Sequence, residues 1–188
     1  MRRVAMAAAI ALALFGATQV AAAAWIHVKA ILAQQLIAAS WRRAREGGPA
    51  PTPWRWADMH PVARLTVPAH DVDLYVLDDA SGRSLAFGPG LVSGSAPPGS
   101  AGNMVLVAHR DTHFAFLKSL AAGDEIDLQA TRGAVVRYRV RQAGVVDRDD
   151  TAVMSETGEA QLTLITCYPF DAVRPGTRWR YVVVAAPL

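Results

Sequence analysis

The chain's single cysteine, Cys167, closes the run Leu162-Thr163-Leu164-Ile165-Thr166-Cys167, which has the alternation and β-branched content of a strand with one buried face. A thiol becomes a nucleophile when it can lose its proton, when an acid or base serves the leaving group, and when a positive group faces the carbonyl oxygen. His109, in Ala108-His109-Arg110, also stands just past a strand-like run, 104–108. Arg178 and Arg180 supply fixed cationic donors and, two apart in a strand, project to one face. Alternation alone does not choose between them. The ordinary uses of these residues are blander: a lone cysteine fills a core gap, and strand arginines cover a solvated exterior.

The remaining polar residues read more simply. His27 lies beside an apolar N-terminal segment, His60 precedes Pro61, and His70 begins a short connection. His113 shares a helical spacing with His109, but no further ligands accompany the pair, so neither a metal nor a cofactor is expected. Asp111 and Asp171 suit loop capping. With one cysteine the chain makes no internal disulfide and no thiolate metal cluster.

Short extended segments must position these groups. Strands are expected at 62–67, 72–77, 104–108, 125–129, 134–141, 162–166 and 179–185, with 85–87 or 145–146 as an eighth, and Gly, Pro or Asp between them. Only 112–120 reads as a helix among them. So many strands with so little helix exclude a doubly wound α/β sheet and favour an all-β, closed or partly closed barrel of seven or eight strands.

Ahead of the barrel, Arg2 and Arg3 precede an uncharged, mostly apolar run over 4–26. As a helix it rises about 34 Å, enough to cross a hydrocarbon core. Ala21 to Ala24 also offer a signal-peptide cleavage site, but the run is long and continues past Trp25, which favours an uncleaved anchor. The two arginines hold its start in the cytoplasm and send the rest outward. The chain divides into an anchor at 1–26, a helix and Pro/Gly linker at 27–53, and a β domain at 54–188.

A pI near 9.4 suggests nucleic acid, and the distribution of charge removes the suggestion. Of 19 Lys and Arg, Arg2, Arg3 and Lys29 belong to the membrane segment, leaving 16 against 16 Asp and Glu. The exported part is formally neutral and has no net attraction for a phosphate backbone.

Thr163-Leu164-Ile165-Thr166-Cys167, the His109-Arg110 pair behind a Gly-Asn-hydrophobic strand, and an Arg just before the last hydrophobic strand together resemble sortases, membrane-anchored cysteine transpeptidases. Ala108-His109-Arg110-Asp111-Thr112-His113-Phe114 and Thr166-Cys167-Tyr168-Pro169-Phe170 are most similar to the proteobacterial branch. The resemblance implies a sortase-like barrel with Cys167 as nucleophile, His109 as general acid and base, and Arg180 as the oxyanion arginine. Arg178 stands in reserve, and Thr166, Tyr168 and Arg178 are the implied substrate contacts. It also implies an exported protein substrate with a Leu-Pro-x-Thr-Gly-like C-terminal signal, an amine acceptor, and a single-pass inner-membrane location with the catalytic domain in the periplasm. The family usually has Gly where Ala108 stands, which would strain the backbone if that position needs positive φ. Peptidoglycan-directed cysteine chemistry and a non-catalytic, membrane-tethered peptide-binding barrel are the alternatives.

Overall fold

The alternating segments become eight strands in the computed structural model, which describes residues 2–47 and 51–188. Of the expected linker, 48–50 lie outside the described residues, as does the side chain of His27. The strands are β1 (Pro61–Val67), β2 (Val72–Leu77), β3 (Gly90–Leu91), β4 (Asn103–Val107), β5 (Glu125–Ala130), β6 (Val135–Asp147), β7 (Gln161–Tyr168) and β8 (Trp179–Pro187). They close into a barrel in the order β1-β2-β3-β4-β7-β8-β6-β5, with β5 pairing back onto β1, so no long strand edge stays open. Alternate residues such as Leu65, Leu106, Leu128, Leu164 and Val183 fill the interior.

Three local expectations are corrected. Residues 112–120 do not form an α-helix; Ala115–Ser119 is a 3-10 helix. Phe114, Leu117 and Leu120, all buried, recur every three residues, the period that a 3-10 turn keeps on one face. The 85–87 run is not a strand, because Ser84–Ala86 forms another 3-10 turn. Residues 145–146 continue β6, where Val145 and Val146 pair with Tyr181 and Arg180. The eighth strand is instead the two-residue β3, where a side chain at Gly90 would collide with the Asp79 backbone.

Two units make up the chain, residues 1–36 and 37–188. The helix α1 runs Arg2–Arg45. In the first unit its apolar side chains face outward, Leu12 at 74% and Phe15 at 63% exposure, and the stretch Ala9–Arg45 is long and apolar enough to be a candidate membrane span. Within the second unit the last turns of α1 belong to the barrel's packing. Ile37 is buried against Met59 and Leu77, and the Trp41 ring lies 6.0 Å from that of Tyr75.

Candidate active site

Three neighbouring strands, β4, β7 and β8, have two apolar faces. Met104, Leu106 and Ala108, Leu162 and Leu164, and Val183 and Ala185 point into the barrel. Val105, Val107, Ile165, Val182 and Val184 form a second cluster on the outside. Alternation carries this outer row on to His109, Cys167 and Arg180. The antiparallel register of β7 and β8 pairs Cys167 with Arg180 directly. The parallel register of β4 and β7 ends with Val107 opposite Ile165, and two residues beyond that pair His109 and Cys167 line one cavity. The polar triplet therefore lies in one row across three strand ends, with the thiol between imidazole and guanidinium.

The backbone around His109 is tied to β7 twice. Ala108 N–H donates to the Ile165 carbonyl at 3.4 Å, and the Thr166 hydroxyl donates to the Ala108 carbonyl at 2.7 Å. Among the described residues the only non-glycine with positive φ is Asp71, so Ala108 carries no left-handed strain, and its methyl joins the interior. The family's glycine is not required by the backbone here.

Two cavities flank the row. One, of about 210 Å³, is lined by His109, Arg110, Asp111, Cys167, Pro175 and Gly176. The other, of about 150 Å³, includes Val107, Ile165, Val146, Val153, Met154 and Arg180. A bulge between Val140 and Gln142 shapes the second. Val140 faces the interior, whereas beyond the bulge Val146 faces outward opposite Arg180. The 3-10 turn Thr151–Met154 brings Val153 and Met154 to the same wall. It is held by Asn103, which is buried and whose amide donates to the carbonyls of Val153 and Ser155 at 3.1 Å each. Thr163 donates in turn to the Asn103 side-chain oxygen at 2.7 Å, so the buried network is satisfied.

The arginines part company. Arg180 lines the second cavity and donates to the Thr177 and Trp179 carbonyls at 2.8 and 2.9 Å. Arg178 is largely exposed, pairs with Asp147 and lies over the Trp179 ring at 5.5 Å. The Asp149 backbone N–H, and then Arg178, hold the Asp147 carboxyl below its usual range.

Of the expected substrate contacts, Thr166 is 2% exposed and faces the interior, so its hydroxyl acts on the Ala108 carbonyl and not toward solvent. The Tyr168 ring stacks with Tyr181 at 6.2 Å and meets Phe170 edge-on at 6.1 Å. Phe170 and Tyr181 in turn pack against the interior core.

Sequence reasoning passed over Asn103 and Arg110. Nothing in a hydrophobic strand pattern marks a buried amide, and Arg110 was noted only as the neighbour of His109. Two other histidines are paired with carboxylates. His60 Nδ1 is 2.9 Å from Asp78, and His70 Nε2 is 3.3 Å from Asp124. Burial, helped by the nearby His109, pushes the His113 imidazole below its ordinary value, against an opposing hydrogen bond with Ala86. Among the described residues no three His, Cys, Asp or Glu side chains are grouped to hold a metal ion.

Residues 65–188, more than half of the chain, match the family model of the Sortase domain. The chain is 32% identical over 120 residues to Sortase D of Bacillus subtilis (strain 168), an alignment covering 63% of this chain and 60% of that protein. The chain thus spans less than two thirds of that relative's length. The barrel is similar to Sortase A from Corynebacterium diphtheriae, with 28% identity, a TM-score of 0.63, and 71% of this chain and 63% of that one covered. It is also similar to Listeria monocytogenes sortase A, with 26% identity, a TM-score of 0.61, and 68% and 87% covered.

Proposed function

Because the chain belongs to the sortase family, we propose that it is a cysteine transpeptidase that cuts a Leu-Pro-x-Thr-Gly-like C-terminal signal between Thr and Gly and passes the acyl group to an amine. The observation that carries this reading is the row His109, Cys167, Arg180 at adjacent strand ends beside two cavities. The Cys167 thiol gives its proton to His109 as the sulfur attacks the Thr carbonyl carbon, and Arg180 donates to the oxygen as it gains charge. Collapse of the tetrahedral adduct breaks the Thr–Gly bond, and His109 gives the departing nitrogen a proton. An incoming primary amine then attacks the thioester, His109 takes its proton, and the C–S bond breaks to free the thiol.

The outer cavity with Val107, Ile165, Val153 and Met154 suits the apolar residues of the signal, ahead of the scissile bond. Residues 1–26 serve as a single-pass anchor, 27–53 as juxtamembrane helix and linker, and 54–188 as the catalytic domain. Arg2 and Arg3 support an inner-membrane orientation with that domain in the periplasm. The substrate is then an exported protein in the same membrane, and shared confinement raises its effective concentration. We further propose the proteobacterial branch, on the likeness of the stretches at 108–114 and 166–170 alone.

The test is incubation of the full chain in detergent micelles with a Leu-Pro-Ala-Thr-Gly peptide, with and without an added amine. Mass analysis should find a thioester on Cys167, no cleavage with Cys167→Ala, and losses of about hundredfold or more with His109→Ala and Arg180→Ala. Full activity in any of these variants would remove that residue's role.

A further inference from the structure

The β7–β8 loop, residues 169–178, contributes Pro175 and Gly176 to the cavity that holds Cys167 and His109. Apolar packing does not hold its tip, since Val173 is 98% exposed. Its C-terminal end is tied by the Arg180 bond to the Thr177 carbonyl and by the Arg148 N–H to the Arg178 carbonyl, and its tip by the Arg110 guanidinium. Arg110 Nη2 donates to the carbonyls of Ala172 at 2.5 Å and Arg174 at 3.3 Å, and Nη1 lies 3.5 Å from the Thr177 hydroxyl. These acceptors bracket Pro175 and Gly176. A planar fork with five donors can span them, and a point ammonium cannot. Arg110 is also the residue after His109, whose backbone is fixed to β7 through Ala108. One side of the cavity is thereby fastened to the other.

We infer that Arg110 is the positioning residue of the acceptor side. By holding Pro175 and Gly176 as a wall beside Cys167, it favours capture of the acyl group by an amine over capture by water. This rests on Cys167 and His109 acting as proposed above. With the acyl chain in the Arg180 cavity, the nucleophile arrives from the His109 side, where its proton must go. A fixed wall there gives a peptidyl amine a surface to bind and narrows the access of water.

The experiment needs no sorting peptide. p-Nitrophenyl acetate acylates Cys167 of the full chain in micelles: the thiol proton passes through His109 to solvent, sulfur takes the acetyl carbon and p-nitrophenolate leaves. Glycylglycine then attacks the thioester to give acetylglycylglycine, or water attacks to give acetate; in each case the nucleophile's proton passes to His109 and on to the departing sulfur, which frees the thiol. Both products come from one intermediate, so their ratio is independent of how fast it forms or how much enzyme is folded. Cys167→Ala supplies the background. Arg110→Ala and Arg110→Lys should each lower the ratio by about tenfold and raise the glycylglycine concentration for half-maximal transfer, while circular dichroism stays unchanged. The ratio for hydroxylamine, which is small and needs no wall, should hold.

An unchanged glycylglycine ratio in both variants, or an equal fall for hydroxylamine, overturns the inference. No product above the Cys167→Ala background overturns it together with the nucleophile's role. A shifted ratio without cleavage of sorting peptides leaves Arg110's role standing and refutes only the substrate reading.

Discussion

Replacing Thr166 by Val tests how the fold aims His109. The two side chains have nearly the same shape, and Thr166 is 2% exposed, so the change removes a hydroxyl with little loss of packing. What it takes away is the 2.7 Å hydrogen bond to the carbonyl of Ala108, itself buried at 6% exposure. Leaving that acceptor unpaired costs about 1–3 kcal/mol. For a protein of this size each kcal/mol lowers the melting temperature by about 2–4 °C. The released carbonyl belongs to the residue before His109, and a shift of about 1 Å at a catalytic group lowers rates by up to about hundredfold. Thr166→Val should therefore lose both stability and acyl transfer, the latter by tenfold to hundredfold in order of magnitude. Thr166→Ser is the control: it keeps the hydroxyl and gives up a buried methyl, worth about 1 kcal/mol. Serine should cost stability and leave transfer near that of the parent. Thermal melts beside peptide-transfer rates read the pair. Should the valine variant melt early yet transfer normally, the hydroxyl only holds the wall and the positioning argument fails.

The choice between arginines is open to the same assay: Arg180→Ala should lose about hundredfold in transfer, and Arg178→Ala much less, because the exposed Arg178 is engaged with Asp147. Equal losses would refute the register argument. Asn103→Ala should destabilise by about 2–3 kcal/mol by removing the acceptor of the Thr163 O–H and the donor to two carbonyls, and should raise KM for the donor peptide more than it lowers kcat; an unchanged KM would separate the 151–154 turn from the peptide groove. His113, held below its ordinary value of about 6.5 in the folded state, implies a pH effect of defined sign. The unfolded chain gains its proton first as pH falls, so this stability is present above the unfolded value and lost as pH falls through the folded one. Unfolding free energy measured in urea between about pH 7.5 and about pH 5.5 should fall more in the parent than in His113→Gln; identical slopes would refute it.

The strands were largely legible because a sheet with one buried face writes its period into the sequence: the runs at 62–67, 72–77, 125–129 and 162–166 each lie within an observed strand. The failures occurred where pairing overrides local pattern. Residues 112–120 had helical composition, yet the three-residue recurrence of buried groups selected a 3-10 turn. The two-residue β3 leaves no periodic trace.

At the site, the sequence alone determined the chemistry available: one thiol, a histidine past a strand end, and two arginines of the same parity around the start of the last strand. Which of them meet was decided only by the tertiary structure, because strand register is a long-range choice. The pairing of β7 with β8 sets Arg180 opposite Cys167 and leaves Arg178 beside Asp147. The bulge in β6 turns Val146 outward beneath Arg180, a reversal of parity invisible in a run of alternating residues. The hydrogen bonds of Arg110 across 62 and 64 positions, and of Asn103 across 50 and 52, belong to the closed barrel, since no local signal couples residues so far apart until the strands between them have paired.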